Sequence, residues 1–180
     1  MLRGQRIGLR HMTEDDLPWL KRTLGDPQVR GPFGGSRMTP PHQIDRRWQE
    51  HGFAGEDLER LLICHLLDGS VIGEVVHFSA ARYTTAREIG WTLADVAMRG
   101  QGLASEAAGL LVDYLFENWP INRLQCGMSV HNHASRRVAE KCGFKHEGIQ
   151  RGIIFVAGEY VDSHLLSLLR SDWRAMKDRQ

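Results

Sequence analysis

The chain has 180 residues, of which 42% are hydrophobic and 25% charged, and its formal net charge is +1. This length suits one domain with its own core, and the near-neutral charge gives no electrostatic case for binding nucleic acid or a membrane surface. Three cysteines make no disulfide framework, and no apolar run approaches the ~18 residues of a membrane span. The first residues lack the pattern of a signal peptide, so we expect a reduced, cytoplasmic setting.

The first third of the chain is predicted to form a strand and two helices. Residues 5–12 alternate well enough for a strand, and residues 13–24 begin with Thr13, a favourable helix cap, followed by acidic residues. Residues 25–41 are rich in glycine and proline and are predicted to form an irregular loop, whose length favours a binding role over a plain connector. A short second helix is predicted over 41–52.

Strands and helices alternate in the remainder of the chain. The Asp68–Gly69 pair between two apolar runs predicts a hairpin. The strongest helical periodicity follows Gly102 and ends at Pro120. The order β-α-α-β-β-β-α-β-α-β-β predicts a mixed α/β fold in a single domain, 1–180. The elements predicted here are strands at 60–67, 71–78, 87–93, 123–130, 144–155 and 159–169, and helices after 102 and at 134–142.

The segment "RGQGLASEA" (99–107) places two glycines directly before the strongest helix. Free N–H groups in a first helical turn, together with the helix dipole, bind anions, and glycine lets the backbone approach them closely. Two familiar phosphate motifs fail here. The Walker loop requires Lys and Ser/Thr after its second glycine, and the dinucleotide fingerprint requires a third glycine where Ser105 stands. By spacing alone, a plain strand-to-helix turn and a phosphate site are equally supported.

Several segments together resemble the GNAT acyltransferase superfamily. In "RGQGLA", Arg99, Gly102 and Ala104 occupy the positions of its pyrophosphate-binding signature, R/Q-x-x-G-x-G/A. The segment "NHASRRVAEKCGFKHEGIQR" (132–151) resembles the branch that acetylates the N-termini of ribosomal proteins. The segments "IGLRHMTEDDLPWL", "EIGWTL" and "GEYVDSHLLSLLRSDW" are similar to other parts of that branch, so the resemblance covers most of the chain.

The resemblance implies a GNAT fold and acetyl-CoA as acyl donor, without a metal. The implied fold has a mostly antiparallel mixed sheet of about six to seven strands, in which two central parallel strands splay apart, flanked by about four helices. The pyrophosphate is expected on backbone N–H groups of 99–105, and the pantetheine beside 93–98. The residues implied in cofactor binding are Leu93, Val96, Ala97, Met98, Arg99, Gly100, Gln101, Gly102, Leu103, Ala104, Ser105, Asn132 and Ser135.

Acyl transfer from a thioester requires a neutral amine, a donor to the developing oxyanion and a proton for the departing thiolate. The resemblance places Glu88 beside the acyl group, where it is the candidate base; its alternative is an ion pair with Arg82 or Arg87. Ser135 is the candidate proton donor, because Ala139 stands where many members carry a tyrosine; its alternative is a helix cap. Backbone N–H groups near 91–93 are the candidate oxyanion donors.

The acceptor is expected to be a primary amine, either a protein N-terminus or a small molecule such as an amino sugar, a polyamine or an amine antibiotic. Neither nucleic acid nor membrane is expected as a partner, and the chain is expected to be a monomer or a homodimer. Two alternatives stay open: a non-catalytic CoA-binding or regulatory module of the same fold, and an acyltransferase whose donor is an acyl carrier protein.

Overall fold

One sheet of eight strands runs through the residues that the structure, a computed structural model, describes: 1–35, 37–55, 57–156 and 158–179. The order across the sheet is β1-β2-β3-β4-β5-β6-β8-β7. This is slightly more than the six to seven strands expected, within the same fold class. The strands are β1 (Leu2–Arg3), β2 (Ile7–His11), β3 (Leu58–His65), β4 (Val71–Ser79), β5 (Arg87–Leu93), β6 (Arg123–Ser129), β7 (Lys145–Val156) and β8 (Glu159–Leu169).

Six α-helices accompany the sheet in the described residues, against about four expected. None of these helices is long and apolar enough to cross a membrane. Two short 3-10 helices, Glu14–Asp16 and Val96–Met98, precede α1 and the glycine segment. The helices are α1 (Leu17–Gly25), α2 (Pro27–Arg30), α3 (Pro41–His51), α4 (Leu103–Asn118), α5 (His133–Lys141) and α6 (Arg170–Lys177).

The prediction of an irregular loop over 25–41 was wrong in part, because α2 lies within it. Asp26 caps this helix by accepting a hydrogen bond from the Gln28 backbone N–H at 2.8 Å, and Pro27 occupies the first helical position. Ser36, in the same predicted loop, lies outside the described residues. Strand β1 and helix α6 were not predicted.

The two faces of the sheet pack against different helices. Along β3, Leu61 and Ile63 belong to a large core beneath α4, whereas Leu62 and Cys64 belong to a smaller core with α1 and α3. Successive side chains of a strand point to opposite faces, so this continuous apolar strand is covered on both sides.

Strands β5 and β6 are the only parallel neighbours in the described sheet, and they pair over a short stretch. Their register consists of Arg87 opposite Leu124 and Glu88 opposite Gln125. From Ile89 onward, β5 continues to pair with β4 but no longer with β6. The expected splay of two central parallel strands is confirmed, and it leaves an opening in the sheet just beyond Glu88.

Candidate active site

The glycine segment adopts the backbone that its sequence requires. Gly100 and Gly102 have φ of 77° and 83°, in the left-handed region that residues with a Cβ rarely adopt, and Gly102 is the N-cap of α4. A Cβ built at Gly100 would meet no atom within 4 Å. The turn therefore needs glycine for its conformation, and the backbone beside it is open to a ligand.

Arg6, just before β2, ties this segment to the rest of the sheet. Its Nη1 donates to the Gln101 carbonyl at 2.8 Å, and its backbone N–H donates to Glu106 Oε1 at 2.8 Å. Burial opposes ionisation of Glu106, yet N–H donors from Arg6 and Ile7 hold the pKa of its carboxyl below the usual range. The acid in the first turn of α4 is thus engaged by β2, a contact that sequence analysis missed because its partners are 100 residues apart.

A cavity of about 420 Å³ lies between the glycine segment, β5 and α5. Its charged lining residues, among those described, are all cations: Arg30, Arg99, Arg137 and Lys141. This donor set fits a polyphosphate anion. Sequence analysis singled out Arg99 alone. Arg137 and Lys141 could have been found from their i, i+4 spacing on α5, which places them on one helix face.

Nine of the thirteen residues implied in cofactor binding line this cavity, and four do not. Those that line it are Leu93, Arg99, Gly100, Gly102, Leu103, Ala104, Ser105, Asn132 and Ser135. The other four, Val96, Ala97, Met98 and Gln101, lie on the 3-10 helix and in the turn that follows it.

The Arg99 guanidinium has an intramolecular partner. Its Nη2 and Nε donate to the Leu93 carbonyl at 3.0 and 3.3 Å, which joins the end of β5 to the glycine segment. Arg99 is therefore positioned at the cavity wall by the backbone, and its contact with a phosphate stays a prediction.

A second cavity, of about 200 Å³, lies between β5, β6, β7 and the loop after α2. Both cavities are lined by Trp91, Asn132 and Ser135, and by the loop residues 32–34. The two cavities adjoin through these shared walls, at the opening between β5 and β6. Sequence analysis favoured a binding role for the loop 25–41, which contains residues 32–34, but it did not identify the β7 residues that complete the second cavity.

Asn132 and Ser135 are held together at the start of α5. Asn132 Oδ1 accepts a hydrogen bond from the Ser135 backbone N–H at 3.1 Å, so Asn132 is the helix cap. The alternative interpretation of Ser135 as the cap was wrong, because the capping side chain is that of Asn132. The Ser135 hydroxyl makes no hydrogen bond within the described part of the chain.

Glu88 lies next to the opening without lining either cavity. Its Oε2 accepts a hydrogen bond from Gln125 Nε2 at 2.9 Å, rather than an ion pair with Arg82. Arg87 points to the opposite face, where it bonds His77 and Ser79. Glu88 Oε1 lies 3.7 Å from the point where a Cβ on Gly127 would stand, and Gly127 lines the second cavity. The missing side chain of Gly127 therefore leaves space between Glu88 and that cavity.

His77 and Cys142 also carry reactive groups, and both are engaged or buried. His77 is fully buried: its Nε2 is 2.6 Å from Glu59 and its Nδ1 is 2.9 Å from Arg87 Nη2. Burial raises the pKa of the Cys142 thiol to about 11, so this thiol is protonated at neutral pH. These groups act in packing, and neither lines a cavity described above.

Comparison with known proteins agrees with this arrangement. Residues 6–145 match the family model described as "Acetyltransferase (GNAT) domain". The chain is 37% identical over 106 residues to the probable N-acetyltransferase YjcK of Bacillus subtilis, covering 58% of each chain. It is 33% identical over 112 residues to the putative ribosomal N-acetyltransferase YdaF of the same organism, covering 62% of this chain and 61% of that one. The matched stretches thus span about three fifths of both relatives.

Among solved structures, spermidine N-acetyltransferase from Vibrio cholerae, in complex with CoA and spermine, has the same fold. Its TM-score is 0.82 at 17% identity, over 95% of this chain and 99% of that one. The family model spans more than three quarters of the sequence, and the splayed strands and the glycine segment lie within the matched region. The chain belongs to the GNAT acetyltransferase family, as its motifs indicated.

Proposed function

We propose that the protein transfers an acetyl group from acetyl-CoA directly to a primary amine. The observation that carries this proposal is the pair of adjoining cavities, which share Trp91, Asn132 and Ser135 where β5 and β6 part. One cavity presents four cations and the N-terminus of α4, and the other presents no charged side chain among its described lining residues. A polyanionic donor and an amine acceptor can therefore meet from opposite sides.

In this proposal the first cavity holds the donor. Backbone N–H groups of the glycine segment and the dipole of α4 bind its pyrophosphate, and Arg137 and Lys141 add positive charge from α5. The unpaired edge of β5 leads from there towards the shared wall. The donor supplies a thioester, which is already activated towards an amine, so no enzyme nucleophile is needed.

The shared wall is proposed as the place of reaction. The amine nitrogen forms a bond to the acetyl carbonyl carbon while the carbon–sulfur bond breaks. Glu88 takes the proton that the amine releases, through a water beside Gly127, and later returns it to solvent. The Ser135 hydroxyl supplies a proton to the departing sulfur and is itself reprotonated from solvent water. Backbone N–H groups of 91–93 are the proposed donors to the oxyanion.

Relatives suggest the class of acceptor. YdaF is named as a putative ribosomal N-acetyltransferase and the Vibrio cholerae neighbour as a spermidine N-acetyltransferase, so both protein and small-molecule amines occur among similar proteins. We propose an amine acceptor of one of these two kinds, in the cytoplasm. A donor bound to an acyl carrier protein is disfavoured by the four cations, which suit the phosphates of free CoA.

Calorimetric titration with acetyl-CoA, followed by thiol release over a panel of amines, tests this function. Gly102→Val should weaken acetyl-CoA binding at least tenfold, because the added side chain pushes the pyrophosphate away from the amides. Gly69→Val is the matched control, since Gly69 has a similar φ of 73° in the turn between β3 and β4 and lines neither cavity. Equal acetyl-CoA affinity of folded Gly102→Val and the wild type would remove the glycine segment from the site. Acetyl-CoA binding without thiol release for any amine would instead support the non-catalytic alternative.

A further inference from the structure

The two cavities differ sharply in charge. Four cationic side chains line the first cavity, whereas no Asp, Glu, Lys, Arg or His is among the described residues that line the second. Glu88 lies behind Gly127, bonded to Gln125. None of the described residues that line the second cavity therefore offers a counter-ion to a second charge on the acceptor, and the nearby Glu88 carboxylate is already engaged by Gln125.

The walls of the second cavity are mainly apolar. Phe33 comes from the loop after α2, Trp91 from β5, Met128 from β6, and Ile154 and Phe155 from β7. Phe33 and Phe155 are 52% and 56% exposed, so two large apolar side chains of this cavity stay accessible to solvent. Apolar side chains that stay exposed around a cleft indicate a surface that an apolar ligand covers.

We propose that the acceptor is a primary amine whose neighbouring group is apolar and carries no charge of its own. This proposal rests on the acetyltransferase function proposed above and deepens it. The volume of about 200 Å³ suits one amino-acid-sized group and is below the ~300 Å³ at which drug-sized ligand sites begin.

The physical reason is the cost of removing a charge from water. A second ammonium, as in a polyamine, or a carboxylate, as in a free amino acid, would lose hydration in this cavity without gaining an opposite charge. An apolar group would instead gain contacts with Trp91, Met128 and Phe155 and release water from them.

Two sources supply this chemistry: a small apolar amine, and a peptide whose N-terminal residue is apolar. The test measures kcat/KM by thiol release with acetyl-CoA for two matched series. The first series contains leucine amide, phenylalanine amide, lysine amide, free leucine and spermidine. The second contains tetrapeptides that differ only in the first residue, Leu, Phe, Lys or Asp.

In the first series, kcat/KM is expected to be at least tenfold higher for leucine amide and phenylalanine amide than for lysine amide, free leucine and spermidine. In the second series, it is expected to be at least tenfold higher for the Leu and Phe tetrapeptides than for the Lys and Asp tetrapeptides. The series with the higher absolute rates identifies the source. Highest rates with spermidine, lysine amide or free leucine would overturn the proposal while leaving the acetyltransferase function intact. Absence of thiol release for every amine would overturn the function itself.

A matched pair of variants tests the cavity wall directly. Phe155→Asp places a carboxylate on the wall and should lower the preference for leucine amide over lysine amide at least fivefold, with acetyl-CoA affinity unchanged. Ile153→Asp is the control, because Ile153 is 57% exposed on the same strand but does not line the cavity. An unchanged preference in Phe155→Asp, or an equal change in both variants, would overturn the assignment of this wall to the acceptor.

Discussion

At the scale of single residues, Ser135 occupies the wall shared by the two cavities, with its hydroxyl unbonded by the described residues. Its backbone N–H is the group that the Asn132 cap binds. Alanine retains that N–H, so replacing Ser135 removes the hydroxyl without removing the cap. The proposed role of the hydroxyl in chemistry can therefore be tested separately from helix stability at this position.

Ser135→Ala is expected to lower kcat about 100-fold, the low end for a general acid, with little change in acetyl-CoA affinity or melting temperature. The loss should shrink with an acetyl thioester whose thiol is more acidic, since that leaving group needs less protonation. Asn132→Ala provides the contrast, because loss of the cap should cost about 1 kcal/mol of stability. Normal turnover of Ser135→Ala would leave the thiolate to be protonated by solvent.

Glu88→Gln is expected to lower the rate at neutral pH while retaining the hydrogen bond with Gln125 and the affinity for acetyl-CoA. Because glutamine does not accept the proton that the amine releases, the acidic limb of the pH–rate profile should move or vanish. The measurement is kcat/KM across pH for both proteins. A pH–rate profile of Glu88→Gln with the same height and shape as that of the wild type would show that Glu88 is not the base and only links β5 to β6 through Gln125.

At the scale of elements, one carboxylate joins the three strands at the far side of the sheet. Glu147 on β7 accepts two hydrogen bonds from Arg123 on β6, at 2.7 and 2.6 Å, and one from the Ser167 hydroxyl on β8 at 2.6 Å. Since β8 lies between β6 and β7, Glu147 spans the middle strand to reach Arg123. The Arg123 guanidinium, with help from Ser167, lowers the pKa of Glu147 to about 2.

This shift predicts an acid-dependent contribution to stability. Because the pKa of Glu147 in the folded protein lies below the ordinary value of 4.5, its ionised carboxylate stabilises the folded state. This stabilisation is complete above pH 4.5 and is lost as pH falls towards about 2. Urea unfolding of the wild type and Glu147→Gln across this range should show a difference in the free energy of unfolding that diminishes with acid. The effect should be modest, because 40% of the Glu147 side chain is exposed. A pH-independent difference would exclude the ion pair as its source.

Helix α6 shows a second kind of long-range contact between elements. Arg170 donates to the carbonyls of Ile121 and Trp119 at 2.7 and 2.6 Å, just beyond the C-terminus of α4. Trp173 Nε1 donates to Asp113 on α4 at 2.7 Å. A cation at the C-terminus of a helix is attracted to the partial negative charge of the helix dipole there. Arg170 of α6 therefore stabilises α4, the helix that begins at the glycine segment.

At the scale of the whole molecule, the cleft is assembled from parts that are distant in the chain. The cleft is lined by the loop after α2, the ends of β5 and β6, the start of α5 and the outer part of β7. Their meeting point exists because β5 and β6 pair at one end only. Cores on both faces of the sheet hold this divergence in place.

Local patterns in the sequence determined much of this protein. Periodicity and backbone preference predicted three features that depend on neighbouring residues alone. These are the turn with glycines at 100 and 102, the hairpin at Asp68–Gly69 and the apolar face of α4. The motifs, through their resemblance to a known superfamily, also indicated the family. The positions of Gly102, Asn132 and Ser135 at one cavity followed from the same motifs.

Only the tertiary structure decided which side chains meet. Three features of the site join residues that are far apart in sequence. They are the contact of Arg6 with the glycine segment, the four cations of the first cavity, and the space that Gly127 leaves beside Glu88. Helix α2 also escaped prediction, because four residues among glycines and prolines carry no readable period. Periodicity reports which face of an element is buried, whereas the partner on that face depends on the folded path of the chain. For that reason the sequence indicated the residues expected to bind the donor, whereas the second cavity, proposed here for the acceptor, emerged only from the fold.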